Sequence, residues 1–282
     1  LTLHHIVSDG WSTGVLVQEV GALYSAFVRG EASPLAPLPV QYADYAHWQR
    51  SWLTDEVLDT HVDYWKQQLS DAPALLTLPL DRPRPAVQGH RGATLEFAVD
   101  EQTTTALNAL ARREQGTLFM TLAAAFSVLL SRYSGQNDIC IGTPIANRQH
   151  PEVEPLIGFF ANTLVMRTRV AAHESFEALL RRARETTLGM YAHQDVPFEL
   201  LVERLQPQRS LGYSPLFQVM LILQNTPLEE LSLPGLSLRP LGQTDQDGGG
   251  RAAKFDLTLD IAERDQRLFA TFEYDIDLFD GT

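Results

Sequence analysis

The heptapeptide His4-His5-Ile6-Val7-Ser8-Asp9-Gly10 concentrates more chemistry than any other stretch of the chain. An imidazole can accept, donate or orient a proton near neutral pH, and an Asp-Gly pair just beyond it predicts a tight turn. Leu1 to Leu3 read as a short apolar strand, on which adjacent side chains face opposite sides; His4 and His5 are then poorly placed to share a metal ion. One imidazole is expected to pack inward and the other to face a cleft. A lone histidine would be read as a hydrogen-bonded core residue, but His-His followed at this spacing by Asp-Gly favours a functional one.

The elements that must carry this motif follow from periodicity. Ser12 is the expected N-cap of a helix with the apolar stripe Leu16, Val20, Leu23, Tyr24 and Phe27. Pro34, Pro37 and Pro39 predict a rigid connector, followed by helices over Tyr42 to Trp52 and Glu56 to Leu69. The run Pro79 to Pro85 can be neither helix nor central strand and is the candidate domain boundary. Beyond it, Leu95, Phe97 and Val99 predict a half-buried strand, Glu101 to Gln115 a helix, and Leu118 to Tyr133 a helix packed on several sides. Asp138 to Ile145 and Asn162 to Val170 read as strands, Phe176 to Tyr191 as a helix, and Leu216 to Leu223 as a covered strand. Phe255 to Ile261 and Leu268 to Tyr274, joined by a polar turn over Glu263 to Arg267, predict a hairpin. The Gly248-Gly249-Gly250 run marks a mobile loop without the Gly-Lys-Ser/Thr of a phosphate loop.

Composition narrows the function. The 282 residues carry 22 Lys plus Arg against 35 Asp plus Glu, a net charge of −13, which argues against nucleic acid as a partner. With 44% hydrophobic and 20% charged residues the chain is expected to fold. No apolar run approaches the ~20 residues of a membrane helix. Cys140 is the single cysteine, which excludes an intramolecular disulfide framework or a Cys-based zinc site and fits a reducing, cytoplasmic setting; a bacterial source is expected.

Read together, several motifs resemble the condensation domain of nonribosomal peptide synthetases over essentially the whole chain. They are the histidine motif, Tyr42-Ala43-Asp44-Tyr45-Ala46-His47-Trp48-Gln49, Ile141 to Arg148, Ile157 to Thr163, His193 to Phe198 and Pro215-Leu216-Phe217-Gln218. The resemblance implies an α/β (α+β) fold of two chloramphenicol-acetyltransferase-like lobes in a V, the first incomplete. Residues 1–85 would belong to the donor-side N-terminal lobe and 86–282 to the second. A tunnel between the lobes would admit phosphopantetheine arms of an upstream donor and a downstream acceptor carrier protein, with an adenylation domain adjacent in the same polypeptide, no cofactor of the domain's own, and neither nucleic acid nor membrane as partner. The implied reaction is attack of the acceptor amine on the donor thioester to form an amide.

By the same resemblance His5 is the catalytic residue, as general base or orienting partner, and His4 supports it. Asp9 is structural, paired with Arg148 of the other lobe, and Gly10 permits a tight turn and close backbone approach. Trp11, Ser12, Gln224 and Asn225 are candidate tunnel-lining residues. Ser210 to Ser214 depart from the family pattern after Arg209. An epimerising relative is the alternative within the family, against which Gly10-Trp11-Ser12 speaks; a silent module recruiting carrier proteins or tailoring enzymes is the alternative outside catalysis. The chain is expected to be a piece of a longer protein, inactive by itself. His193 to Asp195 read as a helix end before a Pro197 stop, Asp275, Asp277 and Asp280 as solvated charges instead of a calcium loop, and Tyr42, Tyr45, Trp48, Trp52 and Trp65 as core aromatics.

Overall fold

The structure is a computed structural model that describes residues 2–224, 232–237 and 251–281. In chain order the elements are α1 (Gly10–Val28), α2 (Tyr42–Trp52), α3 (Asp55–Gln68), β1 (Arg91–Val99), α4 (Glu101–Arg113), α5 (Leu118–Ser134), β2 (Asp138–Ile145), β3 (Asn162–Arg169), α6 (Phe176–Ala192), α7 (Phe198–Leu205), β4 (Val219–Gln224), β5 (Ser232–Leu233), β6 (Leu236–Ser237), β7 (Arg251–Ala252), β8 (Leu257–Arg264) and β9 (Arg267–Asp275), with 3-10 turns at His5–Val7 and Pro151–Val153. The fold is mixed α/β. By contacts the chain divides into a first unit of Leu1–Val57, Ile145–Asn162 and Thr226–Gly248 and a second of Leu58–Pro144, Thr163–Asn225 and Gly249–Thr282.

The second unit is organised on one mixed sheet in the order β3-β2-β4-β8-β9-β1-β7. β2 and β4 run parallel, as do β4 and β8, whereas β8, β9 and β1 are antiparallel neighbours. The buried runs Ile139 to Thr143 and Val219 to Leu221 are what strands covered on both faces require. The β8 and β9 hairpin closes on Asp265 and Gln266, both left-handed at φ 49° and 58°, so the polar turn is two residues long with the twist that a two-residue hairpin demands. α5 buries Met120 and Ala124 against Leu179, Leu180 and Ala183 of α6, the apolar face that the periodicity of Phe176 to Tyr191 predicts. Side-chain caps start α4, α5 and α6 at Asp100, Thr117 and Ser175.

Several expectations need correction. Residues 2–4 form no strand: the backbone curls into the His5–Val7 turn, with Val7 N–H bonded to the His4 carbonyl at 3.0 Å. Asp9, not Ser12, caps α1, because Asp9 accepts the Ser12 N–H. The stripe of α1 is not a buried one, since Val20 and Phe27 stay exposed while Ser12, Gly21 and Ala26 are buried. On β1, Leu95 and Phe97 are also exposed, and the Phe97 ring stacks on Phe272 of the neighbouring strand β9. The helix end read at His193 is present, since α6 stops at Ala192 with His193 as its C-cap, and Pro197 beyond it stands at the N-cap of α7, where a missing N–H costs nothing. Asp275 is buried, with its carboxyl raised above the ordinary range by that burial, while Asp277 and Asp280 pair with Arg91 and Arg82. Of the aromatics, Trp65 is core and Trp48 is exposed. The Gly248 to Gly250 run lies outside the described residues. Among the described residues no single helix is long and apolar enough to cross a membrane, and no cluster of His, Cys, Asp or Glu could hold a metal.

Candidate active site

Within the first unit the site is built outward from the N-terminus of α1. A helix start presents unbonded N–H groups and a partial positive charge, so a carboxylate is the natural cap. Asp9 supplies it: Oδ1 accepts the Ser12 N–H at 2.8 Å and the Ser12 hydroxyl lies 2.7 Å away. Its second oxygen faces another segment, accepting the N–H groups of Phe160 at 2.9 Å and Ala161 at 3.2 Å. One carboxylate thus closes a helix and holds a loop distant in sequence.

Arg148 completes the arrangement from that same loop. Asn147 adopts the left-handed φ of 53°, which turns the chain so that Arg148 enters the interior. Its Nη2 donates to Ser12 Oγ at 2.8 Å and lies 3.3 Å from Asp9 Oδ1, while Nη1 donates to the carbonyls of Val153 and Leu156 at 2.5 and 2.7 Å. The guanidinium also lies over the Phe160 ring, 4.0 Å from its centroid. The expected pair is therefore present and buried, its side chains only 1% and 2% exposed, with both residues in one compact unit. Burial works to raise the Asp9 carboxyl, but the Ser12 and Phe160 donors and the Arg148 charge outweigh it and hold it below the ordinary range. Burial lowers the Arg148 guanidinium against the pull of Asp9, yet an arginine starts so high that it stays charged at neutral pH.

Ser12, named as a tunnel-lining candidate, is fully buried. Besides Asp9 and Arg148, its hydroxyl accepts the Gly158 N–H at 3.0 Å and faces the Gly158 carbonyl at 2.8 Å; with one proton it can serve only one of its two acceptors at a time. Trp11 reaches the loop as well, its Nε1 donating to the Glu154 carbonyl at 2.9 Å. Gly10, by contrast, has no steric need to be glycine: a Cβ there would meet nothing within 4 Å, and its φ is not left-handed. The glycine that the packing demands is Gly158, where a Cβ would lie 2.2 Å from Tyr42 Cδ2. Tyr42 also donates its hydroxyl to the Phe159 carbonyl at 2.8 Å and packs with Tyr45 on the cluster of Val153, Leu156 and Phe160.

These contacts fix the surroundings of the two histidines. Both are exposed, so neither packs inward as the strand reading expected; a 3-10 turn without buried residues carries them. His4 caps that turn, its Nδ1 accepting the Ile6 N–H at 3.1 Å. His5 does the reverse. Its Nδ1 lies 2.6 Å from the carbonyl of buried Ser8, and its ring meets Phe159 edge to face at 5.1 Å. A carbonyl can only accept, so Nδ1 of His5 carries the proton, and the neutral ring then presents a lone pair at Nε2. Nε2 has no hydrogen-bond partner among the described residues.

The remaining candidates lie elsewhere. Gln224, at the exposed end of β4 in the second unit, donates to Asp260 Oδ2 at 2.9 Å, and burial raises the Asp260 carboxyl. Asn225 lies outside the described residues. Phe159 and Phe160 stand in a motif to which the sequence assigned no role, and Tyr42 was expected only as a core aromatic; the signal was a glycine next to two phenylalanines.

Comparison with known proteins gives the family. The profile described as Condensation domain matches residues 1–282. A linear gramicidin synthase protein of Brevibacillus parabrevis is 54% identical over 280 residues, covering 99% of this chain and 5% of that protein. The chain thus spans a small part of its relative's length. Among solved structures, the complex of the X-domain and OxyB from teicoplanin biosynthesis matches at TM-score 0.84 and 29% identity, over 99% of this chain and 62% of the other. A four-domain nonribosomal peptide synthetase bound to AMP and glycine matches at TM-score 0.85 and 28% identity, over 99% of this chain and 22% of the other.

Proposed function

This chain belongs to the condensation-domain family of nonribosomal peptide synthetases, and on that premise we propose that it catalyses amide-bond formation between a donor acyl or peptidyl thioester and an acceptor aminoacyl thioester, both carried on phosphopantetheine arms of carrier proteins. The acceptor amine attacks the donor carbonyl, a C–N bond forms and the C–S bond breaks. The proton lost by the amine passes to Nε2 of His5 and then to the departing sulfur. The domain's task is to position two tethered reactants and to handle that proton.

The observation that carries this reading is the hydrogen bond from His5 Nδ1 to the Ser8 carbonyl at 2.6 Å, which leaves the acceptor nitrogen at Nε2 unbonded. The Asp9 and Arg148 network supports it indirectly, by holding Ser8 and Phe159 where His5 meets them. These residues are positioning groups. The partners follow from the same premise: an upstream donor carrier, a downstream acceptor carrier and a neighbouring adenylation domain.

The test is condensation by the synthetase that contains this chain, supplied with loaded donor and acceptor carriers. His5→Ala should lower the single-turnover rate by roughly 10²–10⁴-fold, the usual contribution of general acid–base catalysis, with circular dichroism unchanged. Inversion at the donor α-carbon without amide product would favour epimerisation, and carrier binding without any turnover would favour a recruitment module of the kind suggested by the X-domain complex with OxyB.

A further inference from the structure

On a chain of net charge −13, arginines gathered around a hollow stand out. In the second unit a cavity of about 440 Å³ is walled by Arg167, Arg169 and Arg182 together with Tyr64, Gln67 and Thr186, and no carboxylate lines it. Two of the guanidiniums are locked. Arg167 forks onto Asp138 at 2.8 and 2.6 Å and donates to the carbonyls of Gln68 and Ser70 at 3.0 and 2.5 Å. Arg182 forks onto Glu174 at 2.6 and 2.5 Å and reaches the Arg169 carbonyl at 2.5 Å.

Donors are left over. Arg182 Nε is buried with no hydrogen-bond partner among the described residues. The Arg169 side chain is 69% exposed, and its ion pair with Asp138, at 3.6 Å, is too long for a hydrogen bond. The Tyr64 hydroxyl donates to no described group, and burial raises it, so it stays protonated. Asp138 and Glu174 balance two of the three guanidiniums, and the exposed Asp71 is the further carboxylate acting on Arg167. Three carboxylates thus stand against three guanidiniums, and what the lining offers is open donors, Arg169 being the most exposed of them.

We propose that this cavity binds the phosphate group of a phosphate ester, with Arg169 and Tyr64 as its principal donors. Donors stand on separate walls, β3, α3 and α6, which suits a tetrahedral oxyanion with several acceptor oxygens better than a planar carboxylate held by one fork. The volume exceeds what a bare phosphate fills and leaves room for an organic substituent. Because the locked arginines are already ordered, binding requires little rearrangement.

The test is calorimetric titration of the intact chain with inorganic phosphate and, separately, with 4′-phosphopantetheine, at low ionic strength and with chloride as the control anion. Saturable phosphate binding should weaken at least tenfold in Arg169→Gln and with added salt, and should be unchanged in Arg132→Gln, an exposed arginine of α5 outside the cavity. Tighter binding of the ester assigns the rest of the cavity to the organic group, whereas equal binding reduces the site to free phosphate and overturns the ester assignment. Absence of saturable phosphate binding, or equal binding by wild type and Arg169→Gln, overturns the site itself.

Discussion

Replacing Asp9 by alanine should destabilise the chain far more than a single ion pair normally can. The carboxylate accepts the N–H groups of Ser12 and Phe160 at 2.8 and 2.9 Å, lies 2.7 Å from the Ser12 hydroxyl, and offsets a guanidinium whose side chain is 1% exposed. Breaking a buried pair by removing one partner costs about 3–5 kcal/mol, and each abandoned buried donor about 1–3. These losses belong to one network and do not add, so ~3–5 kcal/mol is the working figure. Against a usual total of about 5–15 kcal/mol that is a large share. At roughly 2–4 °C per kcal/mol it lowers the melting temperature by about 6–20 °C. Arg148→Ala should cost a similar amount, because it strands Asp9 and releases the carbonyls of Val153 and Leu156. Chemical denaturation of the two single variants and the double variant gives the cycle, and the double should lose clearly less than the sum of the singles. Losses below about 1 kcal/mol for both singles, the range of an exposed pair, would refute the reasoning.

Two further outcomes follow from the same site. Gly158→Ala should lower stability by about 1–3 kcal/mol, since its Cβ would sit 2.2 Å from Tyr42 Cδ2, and the loss measured by thermal melting should shrink in a Tyr42→Ala background. The folded Asp9 carboxyl titrates below its ordinary value of 3.8, so its contribution is fully present above that value and is lost as pH falls through the lower folded one. The stability gap between wild type and Asp9→Asn should therefore be flat above about pH 5 and narrow below about pH 4 in acid denaturation curves.

What the sequence carried was mostly local. α2 and β2 begin and end where their patterns predict, because an amphipathic helix between breakers and a continuous apolar strand are each signalled by their own residues. The hairpin of β8 and β9 was equally legible from its alternation. The start of the chain was not. Leu-Thr-Leu reads as strand, yet residues 2–4 have no regular structure and the first element is the 3-10 turn His5–Val7, capped by the His4 side chain, which no periodicity signals. Ser12 looked like a cap because serine often is one, but Asp9 three residues earlier is the stronger acceptor at a positive helix end, and Ser12 turned inward to bind the loop. The value of Gly158 depends on a ring 116 positions away in sequence, the Tyr42 side chain, and no local pattern encodes such an approach. The Asp9 and Arg148 pairing was reachable only through the family resemblance, since nothing in the spacing of two residues so far apart predicts that they meet.

The central claim is that His5 offers a free, unprotonated Nε2 because the Ser8 carbonyl holds the proton on Nδ1. Nitrogen-15 correlation NMR of the histidine rings, assigned by comparison with His5→Ala, reads the tautomer directly. The neutral ring of His5 should carry its proton on Nδ1 and show an unprotonated Nε2, and Ser8 and Asp9 amide shifts should move when the ring is removed. A neutral His5 with its proton on Nε2 would contradict the account, because the nitrogen assigned to accept the amine proton would already be occupied.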